Sequence, residues 1–166
     1  MVCKQLQSEG DKVPVMVNIE STREKIMTEI RRRISEIYPT SQIDRGFAAK
    51  TVDTYDHFYL FDMPETLDLS AKGRGMYKCV FPVSISYWIQ ADPKEVLTIG
   101  NYHLEQVRLA VERDEYMKGP DGKILCTGYH LDEGALLWYD EGVLDIEFMY
   151  VFEYVKDAGW VKNPFA

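Results

Sequence analysis

The chain has 166 residues, of which 46% are hydrophobic and 28% are charged, a composition typical of one folded globular domain. It contains no apolar run of about 18 residues, so no membrane-spanning helix is predicted. Its formal net charge of −8 argues against a protein that wraps duplex DNA with a basic surface.

The charge is unevenly distributed along the chain. Residues 1–50 carry nine basic and seven acidic groups, whereas residues 51–166 carry ten basic and twenty acidic groups. This polarity could favour a positively charged partner or head-to-tail self-association, and it could equally serve only solubility. The first ten residues lack the apolar stretch of a signal peptide, so we expect a cytoplasmic protein with reduced thiols.

The first part of the chain predicts an arm followed by a helix. Residues 1–17 are polar and end in a short apolar run, which indicates an N-terminal arm. Ser21 and Glu24 form a capping box at the start of a helix predicted over 21–37. The apolar stripe of this helix consists of Ile26, Ile30, Ile34 and Ile37.

Period-two alternation then predicts strands near 43–53 and 57–62, and a longer strand over 76–90. Between them, residues 63–75 are polar or turn-like, so a long flexible loop is predicted there. Because Pro82 cannot donate to a ladder, the 76–90 strand is expected to have an exposed edge or a bulge at that position.

A second helix is predicted from Asp92 and Pro93 to about Tyr116, with Gly100 as a point where it could divide. Its apolar stripe consists of Leu97, Leu104, Val107 and Val111.

Two more strands are predicted over 124–129 and 143–154, with a turn at 139–142 and a short tail at 156–166. The 143–154 strand alternates between a wholly apolar face and a half-charged face. The elements together predict an α+β fold, a mainly antiparallel sheet with both helices packed on one face, in a single domain over 18–155.

The residues that carry chemistry form no convincing catalytic or metal constellation. Cys3, Cys79 and Cys126 are widely spaced and form no CxxC pair, and the three histidines share no short spacing. Cys126 and His130 would share a strand face, but about 13 Å apart, which is too far for a thiolate–imidazole pair. We therefore predict no catalytic, cofactor or metal residues.

Acidic runs at 112–115, 132–133 and 140–141 leave one enzymatic alternative open. Two carboxylates could serve a small muramidase-like glycoside hydrolase. The simpler interpretation is a solvated acidic surface.

Five cations are candidates for contacts with a partner. Arg31, Arg32 and Arg33 lie near the end of the first helix, where they could stabilise the helix dipole or contact an acidic neighbour or passing DNA. Lys72 and Arg74 lie in the predicted loop and are candidates to bind an acidic neighbour.

The order of elements resembles a known family. A long strand ends in the sequence Ala91–Glu95, a helix contains Leu104–Val111, and Asp132–Ala135 precedes the alternating strand Val143–Tyr154. This layout, over roughly residues 18–155, resembles the tail terminator (tail completion) proteins of tailed bacteriophages and the neck proteins of similar fold.

The resemblance implies a non-enzymatic virion protein of the tail or neck, assembled in the host cytoplasm. Such proteins form a homohexameric ring that caps the tail tube and joins it to the head connector, with the sheath as a neighbour in contractile tails and DNA only as passing cargo. Another neck or connector subunit is the alternative within this class. For such a subunit we expect residues 1–12 and 63–75 to be mobile until assembly orders them.

Overall fold

The computed structural model describes residues 21–46, 55–73 and 76–157. These residues form two helices and six strands. In chain order they are α1 (Thr22–Ile37), β1 (Gln42–Arg45), β2 (His57–Asp62), β3 (Thr66–Gly73), β4 (Met76–Gln90), α2 (Val96–Val111), β5 (Gly128–Asp140) and β6 (Val143–Asp157). The predicted arm and Cys3 lie outside the described residues, as does Arg74.

The strands form one sheet in the order β1-β2-β4-β6-β5, and β3 also pairs with β4. The centre of the sheet is the antiparallel pair of β4 and β6, which is in register from Met76 opposite Asp157 to Gln90 opposite Val143. The pair β1–β2 is parallel, and the other pairs of the described sheet are antiparallel. The predicted α+β class is confirmed.

Both helices pack on the same face of the sheet, as predicted. Side chains alternate along a strand, so every second residue of β4 and β6 faces the helices. Phe81, Ile85 and Phe148 on this face are fully buried, together with Ile30 of α1 and Val107 of α2. The helices and one sheet face thus enclose a single hydrophobic core, which also buries the free thiols of Cys79 and Cys126.

Helix α1 begins and ends close to its predicted bounds. The Ser21 hydroxyl accepts a hydrogen bond of 3.2 Å from the Glu24 amide, which is the capping contact expected at a helix start. Ile26, Ile30 and Ile34 are fully buried, whereas Ile37 in the last turn is partly exposed.

The predicted long loop at 63–75 is wrong, because most of it is strand β3. Thr66 lies opposite Val80 and Asp68 opposite Lys78, and the pair ends at Gly73 opposite Met76. The register shifts between Asp68 and Gly73. Polar and small residues at an edge satisfy their backbone groups by pairing with β4, which local composition does not reveal.

The expectation that Pro82 lies at an exposed edge or a bulge is met only in part. Strand β4 is central and stays in register with β6 there, but on its other side the described pairs with β2 stop at Val83 and those with β3 stop at Val80. The Pro82 carbonyl accepts a hydrogen bond from the Met63 amide at 3.1 Å, so the residue faces the junction between β2 and β3. The missing amide therefore falls between two partner strands.

Helix α2 starts at Val96, three residues after the predicted first helical residue Pro93, continues through Gly100 and ends at Val111, before the predicted end near Tyr116. Asp92 instead caps a turn, because its Oδ1 accepts a hydrogen bond from the Lys94 amide at 2.9 Å. Leu97 was assigned to the apolar stripe but is 70% exposed. At 100° per residue it lies well away from the buried Val107.

The predicted strand at 124–129 is mostly wrong, since Ile124 makes only an isolated bridge with Lys118 and β5 begins at Gly128. A two-residue turn, Glu141–Gly142, joins β5 to β6, and both residues have positive φ, at 46° and 86°. Strand β6 continues to Asp157, and β1 ends at Arg45, with 47–54 outside the described residues.

Candidate functional site

Arg33, one of the predicted partner contacts, is instead a buried structural residue with 1% of its surface exposed. Its guanidinium donates to Glu29 Oε1 at 2.6 Å, to the Val111 carbonyl at 2.8 Å and to Asp114 Oδ2 at 2.7 Å. These bonds connect α1 to the end of α2. Arg33 is therefore unavailable to a partner.

The other four predicted cations differ in exposure and pairing, and the side chains of two of them are not described. Arg31 is exposed and has no ion pair among the described residues, whereas Arg32 is half-buried and pairs with Glu29 at 2.7 Å and with Glu36. Lys72 belongs to β3, and its side chain lies outside the described part of the structure, as Arg74 does entirely. Of the five predicted cations, Arg31 is therefore the one whose charge is exposed and not already paired within the described residues.

Ion pairs with Arg32 and Arg33 determine the protonation state of Glu29. Burial alone would raise the pKa of the Glu29 carboxyl, but the hydrogen bonds from Arg32 and Arg33 outweigh it, so the pKa lies below its usual range. Glu29 is consequently ionised at neutral pH and holds both arginines in place.

Two of the carboxylates considered for a hydrolase are each paired with an arginine. Glu112 and Asp114 line a cleft of about 380 Å³, but Glu112 contacts Arg108 at 3.4 Å and Asp114 contacts Arg33 at 2.7 Å. A glycosidase needs two carboxyl groups that face the sugar. Asp140 lies next to the turn between β5 and β6 and lines none of the three clefts described for this structure.

The thiol chemistry considered for Cys126 is also unfavourable. Burial raises the pKa of this thiol, which keeps it protonated, whereas a nucleophilic cysteine needs a lowered pKa. Within the described residues, no group of three or more metal-ligating side chains could hold an ion.

Strand β5 exposes two large apolar side chains on the face of the sheet away from the helices. Leu136 and Trp138 are more than half exposed, with Trp138 at 62%. They lie opposite Glu147 and Asp145 of β6, whose carboxylates accept hydrogen bonds from the hydroxyls of Ser84 and Ser86. We call Leu136 and Trp138 the β5 surface. It lies at one edge of the sheet, where β5 pairs only with β6 among the described strands.

Helix α2 exposes a second apolar group, which we call the α2 surface. It consists of Tyr102 and Leu109, which are 60% and 63% exposed. Tyr102 and Leu109 are seven residues apart, so they lie on the same side of the helix. Neighbouring apolar side chains that a fold leaves exposed are available for contact with another chain.

Gly100 and Leu137 fix where these two surfaces lie relative to each other. A Cβ atom at Gly100 would lie 2.8 Å from a Leu137 methyl group, so α2 packs closely against the helix side of β5. Because side chains alternate, Leu136 and Trp138 point to the opposite side of the sheet. The chain therefore carries two unlike apolar surfaces on opposite sides of the same edge.

The sequence did not reveal the β5 surface because residues 136–139 read Leu-Leu-Trp-Tyr. Both faces of this segment are apolar, so it has no period-two signal, and only the neighbouring turn marked it. The α2 surface had a usable signal in the sequence, since Tyr102 and Leu109 lie on the side of the helix opposite its buried residues.

Comparisons with known proteins do not assign this chain to a family: no family model matches it, and neither does any curated protein. Within the described residues, neither helix is long and apolar enough to cross a membrane.

Proposed function

We propose that the protein is a structural subunit that self-assembles into a ring, of the kind formed by phage tail terminators. In this proposal the ring is a homohexamer in the virion, caps the tail tube and joins it to the head connector, and the subunit performs no chemistry. The observation that carries the proposal is the presence of two unlike apolar surfaces on one chain.

Two unlike surfaces favour a head-to-tail contact. In such a contact the β5 surface of one subunit would meet the α2 surface of the next, and repetition of the same rotation closes a ring. The position of β5 supports this contact: among the described strands it pairs only with β6, and a strand edge without a partner is available for pairing with another chain. The order of elements, which resembles the tail terminators, supports the specific kind of ring.

Another neck or connector subunit would use the same contacts and remains the alternative within the class. The muramidase-like alternative has less support, because Glu112 and Asp114 in the acidic cleft are already paired with arginines.

Native mass spectrometry of the purified chain tests the proposal. We expect wild type to form a closed oligomer, six subunits for a tail terminator, and negative-stain micrographs to show rings. Trp138→Ser in the β5 surface and Leu109→Ser in the α2 surface should each give monomers. Ile124→Ser is the matched control, because Ile124 is 57% exposed but belongs to neither surface.

Mixing the two variants distinguishes a head-to-tail contact from a symmetric one. Each variant retains the surface that the other has lost, so the mixture should form heterodimers that cannot grow. A monomeric wild type, or a mixture that forms no heterodimer, would contradict the proposed ring.

A further inference from the structure

An aromatic cleft of about 470 Å³ opens at the end of α1, and its use is not explained by the β5 or α2 surfaces. Its walls include Tyr38, Tyr55, Tyr87 and His103, and Asp56 lies among them. None of the described residues that line it is a lysine or an arginine. We call it the aromatic cleft.

The inner walls of the aromatic cleft are held in place by ring packing. The ring centroids of Tyr38, Tyr87 and His103 lie 5.0 to 5.7 Å from one another. Beneath them Phe58 is fully buried, and it packs edge-on against Tyr38 at 4.9 Å and stacks on Tyr87 at 4.0 Å. Three of the four rings of the cleft are therefore held in place by this packing, which lowers the ordering cost of binding.

Asp56 supplies a negative charge to this apolar site. The hydroxyls of Ser41 and Tyr87 both donate to its Oδ1, at 2.5 and 2.7 Å. Its Oδ2 accepts no hydrogen bond from the described residues. The backbone of Asp56 has φ of 59°, an uncommon conformation for a residue other than glycine, which asparagine and aspartate tolerate best.

His103 adds no positive charge at neutral pH. Burial lowers the pKa of its imidazole, and its Nδ1 lies 2.7 Å from the Tyr38 hydroxyl. A neutral ring that faces Asp56 leaves the cleft negative and aromatic. This is the combination that binds organic cations, through the ring faces and through a charge-assisted hydrogen bond to the carboxylate.

We propose that the aromatic cleft binds a cationic side chain, arginine or lysine, of a protein partner. A side chain of a partner fits better than a free metabolite because the cleft adjoins the α2 surface: the Tyr102 ring packs on His103 with centroids 5.1 Å apart. A chain that covers the α2 surface would also cover the cleft. The choice of a protein partner rests on the proposed function, whereas cation binding itself does not.

Titration followed by NMR tests the proposal with small probes. The protein is the full-length Trp138→Ser chain, whose α2 surface is expected to be uncovered, and wild type is titrated alongside. The probes are N-acetyl-arginine methylamide, its neutral citrulline analogue, and choline as a free organic cation. We expect the arginine probe to shift the resonances of Tyr38, Tyr55 and His103, and the citrulline probe to bind at least about tenfold more weakly.

Asp56→Asn is the decisive variant, because asparagine retains the backbone conformation and removes only the charge. It should weaken the arginine probe about tenfold, while Asp132→Asn, at an exposed carboxylate on β5, should leave it unchanged.

Equal binding of the arginine and citrulline probes, or no effect of Asp56→Asn, would overturn the cation site. Choline binding tenfold tighter than the arginine probe would overturn the assignment to a protein side chain. A failure of the proposed ring would be detected separately, because native mass spectrometry would then show wild type as a monomer.

Discussion

Arg33 and Arg31 are two residues apart on the same helix, yet they have opposite roles. Arg33 bonds Glu29, Val111 and Asp114 in the interior, while Arg31 is exposed. Without Arg33, Glu29 would keep its pair with Arg32, but the cluster would lose one buried cation and the Val111 carbonyl would lose its side-chain donor.

We therefore expect Arg33→Met to destabilise the protein by about 3–5 kcal/mol. Arg31→Met, the matched control, should change the stability by less than about 0.5 kcal/mol. Urea unfolding followed by circular dichroism measures both. Equal effects of the two substitutions would show that Arg33 does not connect the helices.

The helical pattern of the sequence, unlike its composition, could have predicted that Arg33 is close to the core. Positions 30 and 34 belong to the apolar stripe, and position 33 lies beside them on the helix, so phase places it at the core boundary. The position of Arg33 on the helix could not predict its partners, because Val111 and Asp114 lie about 80 residues away in the sequence. Long-range polar contacts of this kind have no local pattern.

The lowered pKa of Glu29 predicts that the stability of the protein depends on pH. Because the pKa of Glu29 is lowered in the folded protein, its contribution is fully present above about pH 4.3, the usual value for glutamate. That contribution is lost as the pH falls through the folded-state pKa. We expect stability to decrease as the pH falls below about 4.3, as measured by urea midpoints at each pH, and Glu29→Gln to reduce this decrease. A decrease of the same size in Glu29→Gln would assign the dependence to other carboxyls.

At the scale of elements, the contact of α2 with β5 depends on a residue without a side chain. Gly100 is buried, and any Cβ there would meet the Leu137 methyl groups. Gly100→Val should destabilise by about 1–3 kcal/mol through overpacking. Asn101→Val, which introduces a β-branched side chain at an exposed position of the same helix, is the control for β-branching.

A second substitution tests the mechanism behind this loss. Leu137→Ala should recover part of the stability of Gly100→Val, because it removes the methyl groups that clash. Thermal unfolding of the single and double variants gives the coupling energy. If the effects of the two substitutions were simply additive, the loss in Gly100→Val would not come from contact with Leu137.

The elements with a strong period were predictable, and the others were not. Helix α1 and strands β4 and β6 have uninterrupted stripes, and the structure has them close to the predicted bounds. Strand β3 lacks such a stripe and is ordered by its pairing with β4, while β5 is apolar on both faces. For the candidate surfaces, exposure is a tertiary property: the sequence offered Tyr102 and Leu109 only as apolar residues outside the predicted stripe of α2, and it wrongly placed Leu97 within that stripe.

At the scale of the molecule, the described sheet depends on its central pair. Strand β6 lies between β4 and β5, and its Leu144, Ile146 and Phe148 are fully buried against both helices and β4. A fragment that ends at Gly142 would lose these groups and leave β5 without its partner. We expect it to lack the cooperative thermal transition of the full chain; a sharp transition in the fragment would show that the helices and remaining strands are stable alone.

The position of β6 also has a consequence for biosynthesis. Strand β4 leaves the ribosome first, and roughly 50 residues separate its end from the start of β6, which at about 5–20 residues per second is a delay of about 3–10 s. During that time the edge of β4 that β6 will cover is open, with Phe81, Val83 and Ile85 beside it, and nascent chains on one messenger are close neighbours. The yield of native protein is therefore expected to depend on translation speed and on chaperones that shield this edge, more than on the stability of the finished fold.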